Sequence, residues 1–273
     1  MRFALLGLIC LALLGLSACS TLKSAKLLAP ATFGMEQIAP RVYVDPKMTE
    51  MQRLALTEAI TTARQRIHLY YGNVVAEPEI IACSTEQCFQ RIGGETARAK
   101  SYGAAKMLLS PRGLTAPMIA HEWSHAEFST RVGGSFAAKD IPRWFDEGLA
   151  VLVSNEPTHS EEIWQAINEA GITTPALNEL ESREKWLTAV KKYGDAATNK
   201  EQYKVVYATA GHEVRHWYRK AGKSGLSQLI EAIRQGKPFI QAYQEAQGSV
   251  LPGLSSAYRN FDSAPGPECT RKP

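Results

Sequence analysis

His121-Glu122-Trp123-Ser124-His125 is the stretch of this 273-residue chain whose residue types and spacing best suit chemistry. Residues four apart share one face of a helix, so two imidazoles at that spacing can reach a single zinc ion. The glutamate beside the first can then serve as a base. A second stretch, His212-Glu213-Val214-Arg215-His216, has the same pattern, so the pattern alone does not choose between them.

Two histidines do not complete a hydrolytic zinc site, which takes three protein ligands and keeps a fourth position open. After His125, the segment Trp144-Phe145-Asp146-Glu147-Gly148-Leu149-Ala150 places Glu147 on an otherwise apolar helix. Burying that carboxylate unpaired would be costly, and a metal would relieve the cost. The alternative is a solvated carboxylate near the positive end of a helix begun by Pro142. In the second match, Arg215 sets a permanent cation between the two histidines, which disfavours a cationic metal. Its nearest later carboxylate of interest, Glu231, sits on an amphipathic helix and reads as solvent-facing. The first match is therefore the candidate, and the second is a chance alignment on a helix face.

An H-E-x-x-H helix followed some twenty residues later by W-F-D-E-G-L-A resembles the gluzincin metallopeptidases, a clan that includes thermolysin-like and M1 aminopeptidase-like enzymes. The resemblance implies an α+β, zincin-like domain and a zinc-dependent peptidase, with one Zn2+ per chain. It implies His121, His125 and Glu147 as metal ligands and Glu122 as the catalytic base. The stretch Tyr203 to Gly211 is similar to the tyrosine-bearing helix of M1-like enzymes. It offers Tyr207, with Tyr203 as runner-up, as donor to the oxyanion of the tetrahedral intermediate; a packed aromatic is the competing reading. Asp146 either orients a ligand histidine or caps its helix at the surface. Tyr102-Gly103-Ala104-Ala105 would be the edge strand that pairs with extended substrate. M1 aminopeptidases carry an acidic residue shortly after this Gly-Ala, where this chain has Lys106 and Met107; that departure favours endopeptidase over exopeptidase action. The reading from another class is a non-catalytic zinc-binding envelope lipoprotein, an assembly or binding factor that never turns over substrate.

The elements that must position these residues follow from periodicity and punctuation. Ile38 to Asp45 reads as one short strand. Thr49 to Tyr71 carries apolar residues at near-helical spacing (Met51, Leu54, Leu56, Ile60, Ala63, Ile67 and Leu69) and closes at Gly72. Glu79 to Cys83 reads as a strand, Ser84-Thr85-Glu86 as the cap of a brief helix ending at Gly93-Gly94, and Ser101 to Ser110 as a third strand. The motif helix runs from near Thr115 to about Thr130, with Pro117 in its first turn. A loop follows from Gly133 to Asp140, and Pro142 starts the Glu147 helix. Beyond Glu156 the pattern is almost all helical, over about 160–170, 176–192, 200–220, 224–235 and 238–247. A small mixed sheet followed by a mostly helical half is an α+β arrangement.

At the N-terminus, Arg2 and the apolar run Ala4 to Leu16 form a signal-like segment too short to span a bilayer comfortably. It ends in Leu16-Ser17-Ala18-Cys19, which resembles the lipobox of bacterial lipoproteins. The resemblance implies cleavage before Cys19, lipidation of that cysteine by acyl chains, and tethering in the envelope of a Gram-negative bacterium, facing the periplasm. Ser20 matches the version sorted to the outer membrane. The expected organisation is a signal peptide over 1–18, a lipidated tether over 19–37, a catalytic domain over 38–250 and a C-terminal tail over 251–273. In such a compartment Cys83 and Cys88 are close enough in sequence to form a disulfide, while Cys269 could instead pair with either. The expected partners are a peptide or protein substrate and the membrane reached through the lipid. A net charge of +4 with no basic run excludes a nucleic-acid partner of the usual electrostatic kind.

Overall fold

The computed structural model describes residues 27–194 and 203–247. It is α+β, with a five-stranded mixed sheet. The expected signal segment, Cys19, Cys269 and the expected C-terminal tail lie outside the described residues. No described helix is long and apolar enough to cross a membrane. The chain divides into two compact units. One comprises Met1–Ser135 with Ala150–Glu156, the other Phe136–Leu149 with Pro157–Pro273.

The first unit holds the sheet. Its strands are β1 (Glu36–Ala39), β2 (Val42–Val44), β3 (Glu79–Ala82), β4 (Ala99–Tyr102) and β5 (Lys106–Leu109), in the spatial order β1-β2-β3-β5-β4. The central strands β2, β3 and β5 run parallel, and the flanking β1 and β4 pair antiparallel with β2 and β5. Parallel strands are covered on both faces. Ile80, Ile81 and Ala82 of β3 and Met107, Leu108 and Leu109 of β5 are accordingly all buried. Asp45 ties the ends of two strands together: its carboxylate accepts from Lys47 N at 2.9 Å, Ser84 Oγ at 3.0 Å and Ser84 N.

Two expected strands are in fact hairpins. Ile38 to Asp45 turns at Pro40-Arg41, with Arg41 at φ 62°; proline presets the first turn position and removes a ladder donor, so it breaks the run. Ser101 to Ser110 likewise turns over 103–105 between β4 and β5. Gly103, Ala104 and Ala105 are therefore turn residues, and β4, one of the two edge strands with β1, retains only Tyr102 of the expected edge segment.

Helix α1 (Glu50–Tyr71) begins with a capping box, Thr49 with Gln52, and ends at Gly72. It packs along α3 (Ala116–Arg131), burying Leu56, Ala63, Ile67 and Tyr71, a single stripe at helical spacing. Met51, Leu54 and Leu69 fall off that stripe and are exposed. The short α2 (Glu86–Arg91) is capped by Thr85 and puts Phe89 into the cluster of Met35, Ile81, Cys83, Ile92 and Leu108. Cys83 and Cys88 are joined as a disulfide, their Cα atoms 5.6 Å apart.

The second unit is helical. A short α4 (Ser135–Ala138) interrupts the expected 133–140 loop. It is followed by α5 (Arg143–Ser154), α6 (Glu161–Glu169), α7 (Arg183–Gly194), α8 (Tyr203–Arg234) and α9 (Phe239–Ala246). Helix α5 is continuous, and its last residues, from Ala150, count with the sheet unit. The expected helix over 176–192 starts late. Glu179 folds back to accept from Ala176 N at 3.0 Å, and Ser182 accepts from Lys185 N at 3.2 Å, so a tight turn and a fresh cap precede α7. Helix α8 breaks at Gly222 (φ 62°, ψ −167°), where the expected gap between 220 and 224 lay.

The N-terminal half of α5 is seated in aromatic rings. Phe145 meets Trp217, Phe239 and Tyr243 at centroid distances of 5.4, 5.0 and 5.8 Å, and Trp144 meets Phe239 at 6.1 Å. Gly148 lets α5 approach α8: a Cβ there would collide with the Ala210 carbonyl oxygen, a backbone atom, and with Val214. Substituting G148A is expected to cost about 1–3 kcal/mol, the usual range for overpacking. Urea denaturation followed by tryptophan fluorescence would measure it, and an unchanged midpoint would contradict this packing.

Candidate metal centre

Helix α3 carries the first motif. Thr115 caps it, with its side chain accepting from Met118 N at 3.4 Å, and Pro117 occupies the first turn, where a missing N–H is harmless. Burial covers nearly its whole circumference, including His121, Glu122, Trp123, Ser124 and Glu127. Polar groups on this helix have specific anchors in the preceding segment. Tyr71 Oη and Ser124 Oγ share a hydrogen bond of 2.9 Å. Trp123 Nε1 donates to Ala76 O at 2.8 Å. Glu127 accepts from Val75 N at 2.9 Å, Ala76 N at 2.8 Å and Arg131 Nε at 2.7 Å. These bonds fix how α3 is turned about its axis.

With the helix so fixed, His121 and His125 converge. Their Nε2 atoms are 3.3 Å apart and the rings meet edge to face, centroids 5.0 Å apart. On α5, the Glu147 side chain is buried. A ligand atom from each of His121, His125 and Glu147 lies within 4.8 Å of the others, a grouping that could hold a metal ion. Glu122, adjacent to His121, is also buried at 9% exposure.

Sequence reasoning missed two residues here. Arg143, one turn before Glu147, donates to Glu147 Oε1 and, at 2.8 Å, to Asp146 Oδ2. A carboxylate has two oxygens and about four lone-pair sites, so one arginine contact does not exhaust Glu147 as a ligand. Arg143 does bring Asp146 and Glu147 onto one guanidinium, which gives Asp146 a partner on its own helix. The i, i+4 spacing of Arg143 and Glu147 was the available signal. Glu127 is the other omission. It is fully buried, and its pairing with Arg131, also at i, i+4, was visible in a helix that otherwise reads apolar.

Tyr207 has its ring stacked on His159, centroids 4.9 Å apart, and edge-on to Trp186 at 5.1 Å. The side chain of Tyr203 lies outside the described residues. In the second motif, His212 Nδ1 hydrogen-bonds Glu161 Oε1 at 2.8 Å while its ring stacks on Trp164 at 4.5 Å. Arg215 reaches the other oxygen of Glu161 at 3.7 Å and donates to His159 O. His216 is exposed, and Glu231 is paired with Arg234 at the surface. Among the described residues this stretch forms no metal-holding group. The one other such grouping, Asp45 with Cys83 and Cys88, has both sulfurs committed to the disulfide.

The chain matches no protein-family model and no curated protein. Its functional reading rests on this geometry.

Proposed function

We propose that this chain is a zinc metallopeptidase, an endopeptidase held in a bacterial cell envelope by lipid on Cys19. The observation that carries the reading is the convergence of His121 and His125. Two Zn–N bonds of about 2.05 Å at the tetrahedral angle would separate their nitrogens by roughly 3.3 Å, and the Nε2 atoms are 3.3 Å apart. His121, His125 and Glu147 would hold the ion, and two imidazoles with one carboxylate are a donor set typical of hydrolytic zinc. Bound there, zinc supplies Lewis acidity that acidifies water and polarises a carbonyl.

The remaining work falls to side chains. Glu122 follows His121 directly, about 100° further round the helix, so it borders the histidine face. There its carboxylate accepts a proton from the attacking water and returns it to the departing amine. The Tyr207 ring, held by His159 and Trp186, is the candidate donor to the oxyanion. Extended substrate would add as a further strand along the edge strand β4. Lys106, where the M1-like pattern has an acid, pairs with Glu79, and no carboxylate comes from that position to bind a free amino terminus.

Replacing Glu122 by glutamine tests the proposal. Metal content should stay at one equivalent per chain while cleavage of unfolded casein falls about 10²–10⁴-fold, the span of general acid–base catalysis. A variant as active as the parent would refute the assignment of the base. The alternative is a centre without turnover, favoured by one observation: Arg143 already partners Glu147 and so offsets the cost of its burial without a metal. A parent protein that binds zinc but cleaves nothing, and an E122Q chain that still functions in cells, would establish that alternative.

A further inference from the structure

The helical unit contains a pocket of about 360 Å³ whose lining lies wholly within that unit. Trp144, Trp164 and Tyr243 supply aromatic walls, and Pro175, Leu177 and Ile240 add aliphatic surface. Two of the rings are braced from outside the pocket: Trp164 stacks on His212 and Tyr243 on Trp217, the latter with centroids 5.3 Å apart.

Two groups in this lining ask for a partner. Glu213 is the one charged residue among them, and no lysine, arginine or histidine lines the pocket. Glu213 is half-buried, and among the described residues it has no ion pair. Its neighbours His212 and Arg215 are both drawn to Glu161, at 2.8 and 3.7 Å. The second group is the indole of Trp144, a residue 2% exposed, whose Nε1 is buried and has no hydrogen-bond acceptor among the described residues.

This chemistry selects its occupant. An anion would be repelled by Glu213, and a hydrocarbon would strip water from the carboxylate without compensation. A cation on an apolar stem satisfies the carboxylate and the ring faces together. The Trp144 N–H, a donor only, asks in addition for a carbonyl, which a free amine lacks and a peptide provides. We propose that this pocket receives a lysine or arginine side chain of a peptide, with Glu213 as its ion-pair partner and Trp144 Nε1–H donating to a peptide carbonyl. Trp144 stands three residues before Glu147 on α5, about 4.5 Å along the helix axis. The pocket would thus set a preference for basic residues near the scissile bond. Its bearing on cleavage rests on the peptidase proposal; its bearing on binding does not.

The test uses three short blocked peptides, acetyl-Ala-Xaa-Ala-amide with Xaa as lysine, norleucine or glutamate, titrated calorimetrically into the full chain carrying E122Q. The lysine peptide is expected to bind at least about ten-fold more tightly than the norleucine peptide, and the glutamate peptide most weakly. E213Q should bring the lysine-to-norleucine ratio to about one, E213D should retain much of the preference, and W164A should weaken both peptides. Equal binding of lysine and norleucine peptides, or a preference that survives E213Q, overturns the proposal. The same titration on H121A/H125A protein separates the two readings. A lysine preference there, together with a parent protein that cleaves nothing, leaves the pocket standing while the peptidase falls; hydrolysis by the parent without a lysine preference does the reverse.

Discussion

Replacing His121 and His125 together by alanine is expected to reduce bound zinc from one equivalent per chain to below about a tenth, whereas replacing His212 and His216 should leave it unchanged. The contrast follows from geometry. The first pair presents nitrogens 3.3 Å apart beside the carboxylate of Glu147. In the second pair, His212 is already bonded to Glu161 and stacked on Trp164, and His216 faces solvent. With two of three ligands gone, a lone carboxylate already in contact with Arg143 cannot retain the ion against chelator. On the proposed peptidase reading, hydrolysis should fall with the metal by more than the loss expected for E122Q, because both the polarisation of the carbonyl and the acidification of the water are lost. Elemental analysis of dialysed protein reads the first effect directly. Zinc retained by H121A/H125A and lost from H212A/H216A would reverse the choice of motif.

The largest stability effect is expected at Glu127. Alanine there leaves the N–H groups of Val75 and Ala76 without their acceptor and removes the carboxylate from Arg131, in a site where Glu127 itself has no solvent exposure. Two backbone donors left without their acceptor, at about 1–3 kcal/mol each, together with the lost carboxylate of the ion pair, cost about 3–5 kcal/mol, which is on the order of 10 °C in melting temperature for a unit of this size. E127Q keeps an acceptor oxygen and should lose markedly less. Calorimetry on both variants checks this, and an E127A protein that melts with the parent would show that water accepts from the Val75 and Ala76 N–H groups in its place. Arg131 has other partners, Asn73 O at 3.1 Å and Asn73 Oδ1 at 2.6 Å, so the main penalty lies on the orphaned backbone donors.

What the sequence makes legible here is whatever is local. The caps at Thr49, Thr85 and Thr115, the proline in the first turn of α3 and the four-residue spacing of the histidines are all encoded within a few residues of one another, and they appear in the fold where their chemistry predicts. Each of the two hairpins reads in sequence as a single strand because β-forming residues run on either side of Pro40 and Gly103, and a turn of two or three residues barely interrupts that run. Exposure of Met51, Leu54 and Leu69 could not be read from spacing alone, since the packing of α1 on α3 decides which of several apolar stripes is used. The grouping of Glu147 with the histidines joins residues more than twenty apart in sequence; no periodicity encodes it, and its only signals are the cost of burying that carboxylate and the resemblance of the W-F-D-E-G segment. Arg143 and Glu127 lie outside the motif's pattern, and only the i, i+4 spacing of their ion pairs marks them in the sequence.

The anchors of α3 also have a consequence for the kinds of change this chain can tolerate. Ser124 to Tyr71, Trp123 to Ala76 and Glu127 to Val75 set an angular phase for the helix. Each residue inserted or deleted between Pro117 and His121 would turn the histidines and the anchors together by about 100° relative to the capped start of the helix. Substitutions on α3 can therefore be graded by what they touch, whereas a one-residue length change is all or nothing. A seven-residue change, within about 20° of two full turns, is the smallest that would return histidines and anchors together close to their present directions.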